Sequence, residues 1–240
     1  TRRYATALDL GCGTGAVGRL VRPLVQRLEG LDVSTAMIEC TGLNGSEAKD
    51  VLEHLAELRC RVFREYPYLY DGDLAYERDY LSHYTHSDNA FLVIAKMDDQ
   101  IIGVSSCIPL VEADPAFQEP FRAAGYDLEK IGYFGESVLL PEFRGQGVGH
   151  RFFDLREQWA LKHHFTITTF CSVIRPVDHP ARPEDYRPHD AFWNKRGYIR
   201  HDDLISNLDW PEVSEANNSP NHDVATDTSH KLVFWLKSTS

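Results

Sequence analysis

No run in this 240-residue chain approaches the roughly 18 consecutive apolar residues that a membrane-spanning helix needs, so no membrane partner is expected. Cysteine is sparse and unpaired in pattern. The five residues Cys12, Cys40, Cys60, Cys107 and Cys171 are odd in number and show no metal-ligand spacing, which suits a reducing, cytoplasmic setting. Positive charge is also short: 25 Lys and Arg stand against 36 Asp and Glu, a formal charge of −11. Nucleic-acid binding carries a basic footprint, so no nucleic-acid partner is expected and a cationic substrate is favoured. An acidic surface also simply keeps a protein in solution. His83 and His86 share a helical face without a third ligand, so no metal is expected either. The opening does not read as a secretory signal, because a glycine loop of phosphate-binding type falls within its first fifteen residues.

What is present is enough apolar sequence, 42% of residues, for one good core, with or without an appendage. The most informative stretch is Pro141-Glu142-Phe143-Arg144-Gly145-Gln146-Gly147-Val148-Gly149-His150. Before it, Val138-Leu139-Leu140 reads as a buried strand end. After it, Phe152, Phe153, Leu155, Trp159 and Leu161 recur at roughly helical spacing. Three glycines in five residues remove the Cβ atoms that would hold a ligand off the backbone. The unpaired N–H groups of the helix's first turn, with the helix dipole, then favour a phosphate or pyrophosphate, and Arg144 adds a cation. A nucleotide P-loop would need Gly-Lys-Ser/Thr, and a dinucleotide fingerprint a third glycine where His150 stands. The remaining pattern, Arg/Gln-x-x-Gly-x-Gly, resembles the coenzyme A pyrophosphate loop of the GNAT superfamily of acyl-CoA N-acyltransferases. A glycine-rich turn that only caps a helix is the plain alternative.

A second segment strengthens the resemblance. Ala191-Phe192-Trp193-Asn194-Lys195-Arg196-Gly197-Tyr198 is similar to the aromatic pair and Gly-aromatic dipeptide that follow the loop in that superfamily. The order of elements also agrees: a strand near Met37 to Gly42, helices near Ser46 to Tyr66 and Leu74 to Ser87, then a hairpin turning at Met97-Asp98-Asp99-Gln100. The implied fold class is α/β of the α+β type, the GNAT fold with a mixed central sheet flanked by helices, over residues 37–240. Residues 211–229, rich in Glu, Asp, Asn, Ser, Thr and Pro, read as an exposed loop before a last strand at Lys231 to Leu236.

Residues 1–36 are a separate matter. Ala7-Leu8-Asp9-Leu10-Gly11-Cys12-Gly13-Thr14-Gly15, followed by Asp32, resembles the opening of a class I S-adenosylmethionine methyltransferase. The pattern stops there, and one βαβ unit cannot bury its own sheet faces. The segment therefore reads as a truncated methyltransferase-like fragment, a short βαβ-like piece, and S-adenosylmethionine is not expected as a cofactor.

The GNAT resemblance implies transfer of an acetyl group from acetyl-CoA to a primary amine of a small molecule or protein, by direct attack in a ternary complex. It places Arg144, Gly145, Gln146, Gly147, Val148, Gly149 and His150 on the pyrophosphate. The backbone of Val138, Leu139 and Leu140 would meet the pantetheine arm, with the N–H of Leu139 or a neighbour as oxyanion donor, in a wedge opened where this strand splays from the next, Phe165 to Ile174. Glu136, on one sheet face with Val138 and Leu140, is the candidate base; the alternative is a structurally satisfied strand carboxylate. Trp193 stands where many relatives have the tyrosine that protonates the thiolate, and indole cannot supply that proton. Tyr198, Ser137 or solvent would then serve, and Trp193 would pack along the cofactor arm. Tyr66-Pro67-Tyr68-Leu69-Tyr70-Asp71-Gly72-Asp73 offers an aromatic wall with carboxylates for the acceptor, and Arg175-Pro176-Val177-Asp178-His179-Pro180 a possible rim. The resemblance allows a homodimer. A non-catalytic acyl-CoA binding module is the alternative function, and a methyltransferase the lesser one.

Overall fold

The computed structural model describes residues 4–10, 25–31, 38–44, 47, 49–213 and 227–239. The chain divides into two compact units, Thr1–Glu39 with Lys96–Gln100, and Cys40–Ala95 with Ile101–Ser240. In the first, β1 (Tyr4–Leu10) and β2 (Val25–Leu31) pair in parallel, from Tyr4 opposite Val25 to Leu10 opposite Leu31. The glycines at 11, 13 and 15 and Asp32 lie outside the described residues.

The second unit is built on an eight-stranded mixed sheet. Its strands are β3 (Ile38–Asn44), β4 (Phe91–Met97), β5 (Gln100–Pro109), β6 (Ile131–Tyr133), β7 (Ser137–Leu139), β8 (Ile167–Val173), β9 (Ile199–Pro211) and β10 (Asp227–Ser238). The order is β3-β4-β5-β6-β8-β10-β9, and β7 pairs with β5 off that path. The hairpin between β4 and β5 closes on Asp98 and Asp99, with Asp98 at φ 54°, a left-handed position that a short polar side chain tolerates. Asp227 sits opposite Pro211, so the expected loop is shorter than 211–229: both of its ends belong to the β9–β10 ladder. Glu212 and Val213 are half-buried, and Val213 N–H donates to Leu69 O at 2.7 Å.

Helix α1 spans Lys49–Val62 and buries Val51, Leu55, Ala56 and Leu58 along one stripe. It ends short of Tyr66, where the chain folds back so that Tyr70 N–H reaches Phe63 O at 2.8 Å. Pro67, which has no N–H to give a helix, falls in this bend. The helix expected over 74–87 is two pieces, α2 (Leu74–Leu81) and α3 (His83–His86). At the break Ser82 N–H donates to Asp79 O at 3.1 Å, a tighter turn than the helix's own, and His83 Nδ1 lies 2.5 Å from Tyr80 O.

One helix had no counterpart in the sequence reading. Helix α4 (Pro115–Ala123) begins at Asp114, whose Oδ1 accepts from Ala116 N at 2.8 Å, with Pro115 in the first turn. Pro120 inside it cannot donate to Ala116 O, and Ser206 Oγ fills the gap at 2.7 Å. On α5 (Val148–Lys162) the inward face is Phe152, Phe153, Arg156, Trp159 and Ala160, while Leu161, expected on that stripe, is exposed. Of these, Phe153, Trp159 and Ala160 pack with Phe134, Phe165, Phe170, Tyr198 and Trp235 into an aromatic core.

Candidate active site

The expected fourth strand is divided. Its first part, β6, pairs in parallel with β8 from Ile131 opposite Ile167 to Tyr133 opposite Thr169; its second, β7, pairs only with β5. Between them, Phe134 N–H still donates to Thr169 O at 2.8 Å, after which Glu136 N–H turns to Ser106 Oγ at 2.8 Å. The last part of β8 and the whole of β7 thus face each other without pairing, which is the splay expected for a cofactor wedge. Two groups fix the break. Gly135 is required because a Cβ there would sit 2.3 Å from the Tyr84 hydroxyl, itself bonded by Ser106 Oγ at 2.7 Å. Arg156, 1% exposed, sends Nη1 to Ser106 O at 3.4 Å and Glu136 O at 3.3 Å, between the Phe134 and Phe153 rings. Burial holds its pKa down to about 10.

On β7, Arg144 Nε donates to Leu139 O at 3.3 Å, whereas Leu140 N–H donates across to Ile102 O on β5 at 3.0 Å. The N–H and C=O of one strand residue point to the same edge, so Leu139 presents both to the splay. Val138 and Leu140 are buried.

The chain then passes into the glycine loop. Gly145 and Gly147 have φ of 78° and 84°, and a Cβ on either would meet open space. The loop's shape therefore comes from backbone conformation, not from crowding. Gly147 caps α5 without a side-chain bond, so no side chain occupies the N–H groups of the first turn. Arg144, Gly145, Gln146 and His150 are exposed around them, Gly149 is half-buried, and Val148 is buried beneath. Arg144 Nη1 pairs with Glu65 at 3.1 Å and Arg61 with Glu142 at 3.1 Å, which ties the loop to the chain at and just after the end of α1.

Glu136 is 3% exposed and does not stand alone. Arg59 of α1 pairs with it through Nη1 and with the fully buried Glu77 of α2 through Nε, and its guanidinium lies 4.8 Å from the Tyr80 ring centroid and 4.9 Å from that of Phe63. Burial acts to lower the Arg59 pKa, but the charges of Glu136 and Glu77 outweigh it and hold the group well above its ordinary range. Arg59 thus bridges two buried carboxyl groups carried by different elements. Neither Arg59 nor Glu77 figured in the sequence reading. Their signal was weak: Glu77 lies one turn before buried Leu81, on the apolar side of a short helix.

Tyr198 requires a correction. It is fully buried in the aromatic core, its hydroxyl 3.0 Å from Thr168 Oγ1 and 3.2 Å from Glu157 Oε1, and burial followed by the Glu157 charge drives its pKa far up. A phenol so enclosed does not reach a leaving thiolate. Trp193, on α6 (Asp190–Lys195), packs between Phe170 and Trp235, each at a centroid distance of 5.0 Å. The expected acceptor wall is engaged locally: Asp73 caps α2, Asp71 pairs with Arg64, and Arg175 holds the bend through Pro67 O at 2.7 Å and Tyr68 O at 2.8 Å. Among the described residues, no group of three or more His, Cys, Asp and Glu is placed to hold a metal, and no helix is long and apolar enough to cross a membrane.

A splayed sheet whose free strand runs into a glycine loop at a helix N-terminus defines the class, and the comparisons name it. A sequence model described as the acetyltransferase (GNAT) family matches residues 52–184, and the chain belongs to that family. It is an acyltransferase. Two solved structures share the fold. One, a ribosomal-protein-alanine N-acetyltransferase from Brucella melitensis, is 12% identical with a TM-score of 0.50, over 83% of this chain and 99% of that one. The other, described as a probable acetyltransferase from Staphylococcus epidermidis, is 12% identical with a TM-score of 0.51, over 85% and 100%. No curated protein matches the chain. The family match lies within residues 37–240 and gives no support to the methyltransferase resemblance of residues 1–36.

Proposed function

We propose that the protein transfers an acetyl group from acetyl-CoA to a primary amine by direct attack in a ternary complex. The observation that carries this reading is the unpaired edge of β7, which leads into the Arg144–His150 loop. The loop's N–H groups and Arg144 take the pyrophosphate, with Arg144 exchanging Glu65 for the ligand. The pantetheine arm lies along β7 as a further strand would, and the Leu139 N–H donates to the thioester oxygen as charge develops there. The amine lone pair forms the C–N bond and the C–S bond breaks. An alkylammonium titrates near pH 10, so a base must take its proton. Glu136 serves, with Arg59 fixing the carboxylate and a bound water carrying the proton to it. The thiolate, with a pKa near 8.5, takes its proton from solvent, directly or relayed through the exposed Ser137 hydroxyl.

Residues 1–36 have no part in this chemistry, and their deletion is expected to leave acetyl-CoA affinity unchanged. The test of the proposal is calorimetric binding of acetyl-CoA followed by turnover across a panel of amines. Binding with no turnover on any amine would favour the acyl-CoA binding module instead.

A further inference from the structure

A chamber of about 260 Å³ lies beside the Glu136 cluster. Its walls include Tyr80, Tyr84, Phe117 and Tyr133, and its rim carries Glu112 and Asp114; neither Lys nor Arg lines it, and the one basic residue there, His83, has its Nδ1 turned to Tyr80 O at 2.5 Å. It shares walls with the proposed catalytic centre. Tyr80 stacks on Arg59, Tyr84 is bonded by the same Ser106 hydroxyl that accepts from Glu136 N–H, and the Tyr133 hydroxyl is 3.5 Å from Cys171 Sγ on β8. Burial raises the pKa of all three tyrosines, so they present neutral rings. The bonds made to the two acids come from neutral donors. Ser87 Oγ and, at 2.7 Å, Asn89 Nδ2 donate to Glu112, and Ala116 N–H donates to Asp114. Their charges are thus not cancelled by these partners.

Aromatic faces and two carboxylates bonded by neutral donors reward a cation. The reacting nitrogen cannot be that cation, because it attacks only after losing its proton. We infer that this chamber selects an acceptor with a second, non-reacting cationic group, a small diamine whose far ammonium sits between Glu112, Asp114 and the tyrosine rings while its near amine meets the thioester. The size agrees: the chamber is smaller than the roughly 300–1,000 Å³ of pockets for drug-sized ligands. This inference rests on the acetyl-transfer reading.

The test uses the full chain with diaminobutane, butylamine of the same length, and aminobutyric acid, which carries an anion where the diamine carries a cation. Diaminobutane should show a kcat/KM about tenfold above butylamine, with aminobutyric acid lowest. The double variant Glu112→Gln, Asp114→Asn should raise the KM for diaminobutane about tenfold and leave those for butylamine and acetyl-CoA in place. Asparagine still caps α4, so the fold is kept. Calorimetric binding of the diamine and the monoamine is read in parallel. Preferential diamine binding without turnover would uphold the chamber and sink the transfer reading. Equal binding of the two amines, or a preference that survives the double variant, would overturn the chamber whatever the turnover.

Discussion

The glycine loop and the Arg59 cluster lie at the two ends of β7 and are built on opposite principles. The loop is exposed and made of backbone: its recognition groups are N–H donors, its shape is set by two left-handed glycines, and its one cation is a surface residue. The cluster is buried and made of side chains, with Arg59 and Glu136 separated by 77 positions and joined only by the fold. A cofactor with an invariant polyanionic end can be met by backbone, which every sequence possesses. A particular amine has to be met by chosen side chains on elements that can be rearranged. Damage to the loop should therefore abolish donor binding with little loss of stability, and damage to the cluster should spare the donor while slowing the chemistry.

The most severe break is Gly147→Val. At φ 84° a branched residue is strained by about 1–2 kcal/mol, which the fold should absorb, and its side chain would enter the open space proposed for the pyrophosphate. Acetyl-CoA affinity, read by calorimetry, should fall about a thousandfold or more with the circular dichroism spectrum kept. Next is Glu136→Gln. It should hold the affinity for acetyl-CoA, lower kcat about a hundredfold, and remove the acidic limb of the pH–rate profile. A near-normal rate would return Glu136 to a structural role. Third, Gly135→Ala pushes a methyl group into the Tyr84 hydroxyl and should cost about 1–3 kcal/mol in denaturant unfolding, since that contact anchors the break.

The smallest effect concerns pH. His230 stacks on Trp210 at a centroid distance of 3.8 Å and is buried, which depresses its pKa, with Arg175 adding to the shift. The unfolded chain takes up the proton first, near pH 6.5. The folded state therefore has its full advantage above that pH and loses it as pH falls further. In His230→Gln the decline in stability between neutral pH and pH 5 should be shallower than in the parent chain. An unchanged slope would assign the decline to other groups.

The contrast between loop and cluster also governs what could be read before the fold was known. The shape of the glycine loop was legible because ten consecutive residues carry it, from the end of β7 to the first turn of α5. The splay was anticipated only through the family resemblance. What placed it, the break at Phe134–Glu136, had one local sign, a glycine inside an apolar strand pattern, which marks a bulge or a close approach. The burial of Glu136 beside Val138 and Leu140 was legible because alternation survives next to the break. The partners of Glu136 were not, because a helical arginine reads as solvated until a second helix and a strand close over it. Helix α4 had its start signal in Asp114-Pro115, but Pro120 argues against a helix, and only the long-range bond from Ser206 makes it acceptable. Tyr198 was misplaced because a Gly-Tyr dipeptide says nothing about which way the ring turns. Here it turns into the core.

The three residues between β6 and β7 have a further consequence, one of chain length. Side chains alternate along a strand, so removing or adding a single residue there would rotate everything that follows by one face. Val138 and Leu140 would turn to solvent, Leu139 would point its backbone at β5, and the loop would start from the wrong edge. Many residue types are compatible with an extended backbone at these positions, but only one count of residues is. In this protein the spacing from Tyr133 to Ser137 is thus a more stringent requirement than most of the identities within it, and an insertion that a surface loop would tolerate should here disconnect donor from acceptor.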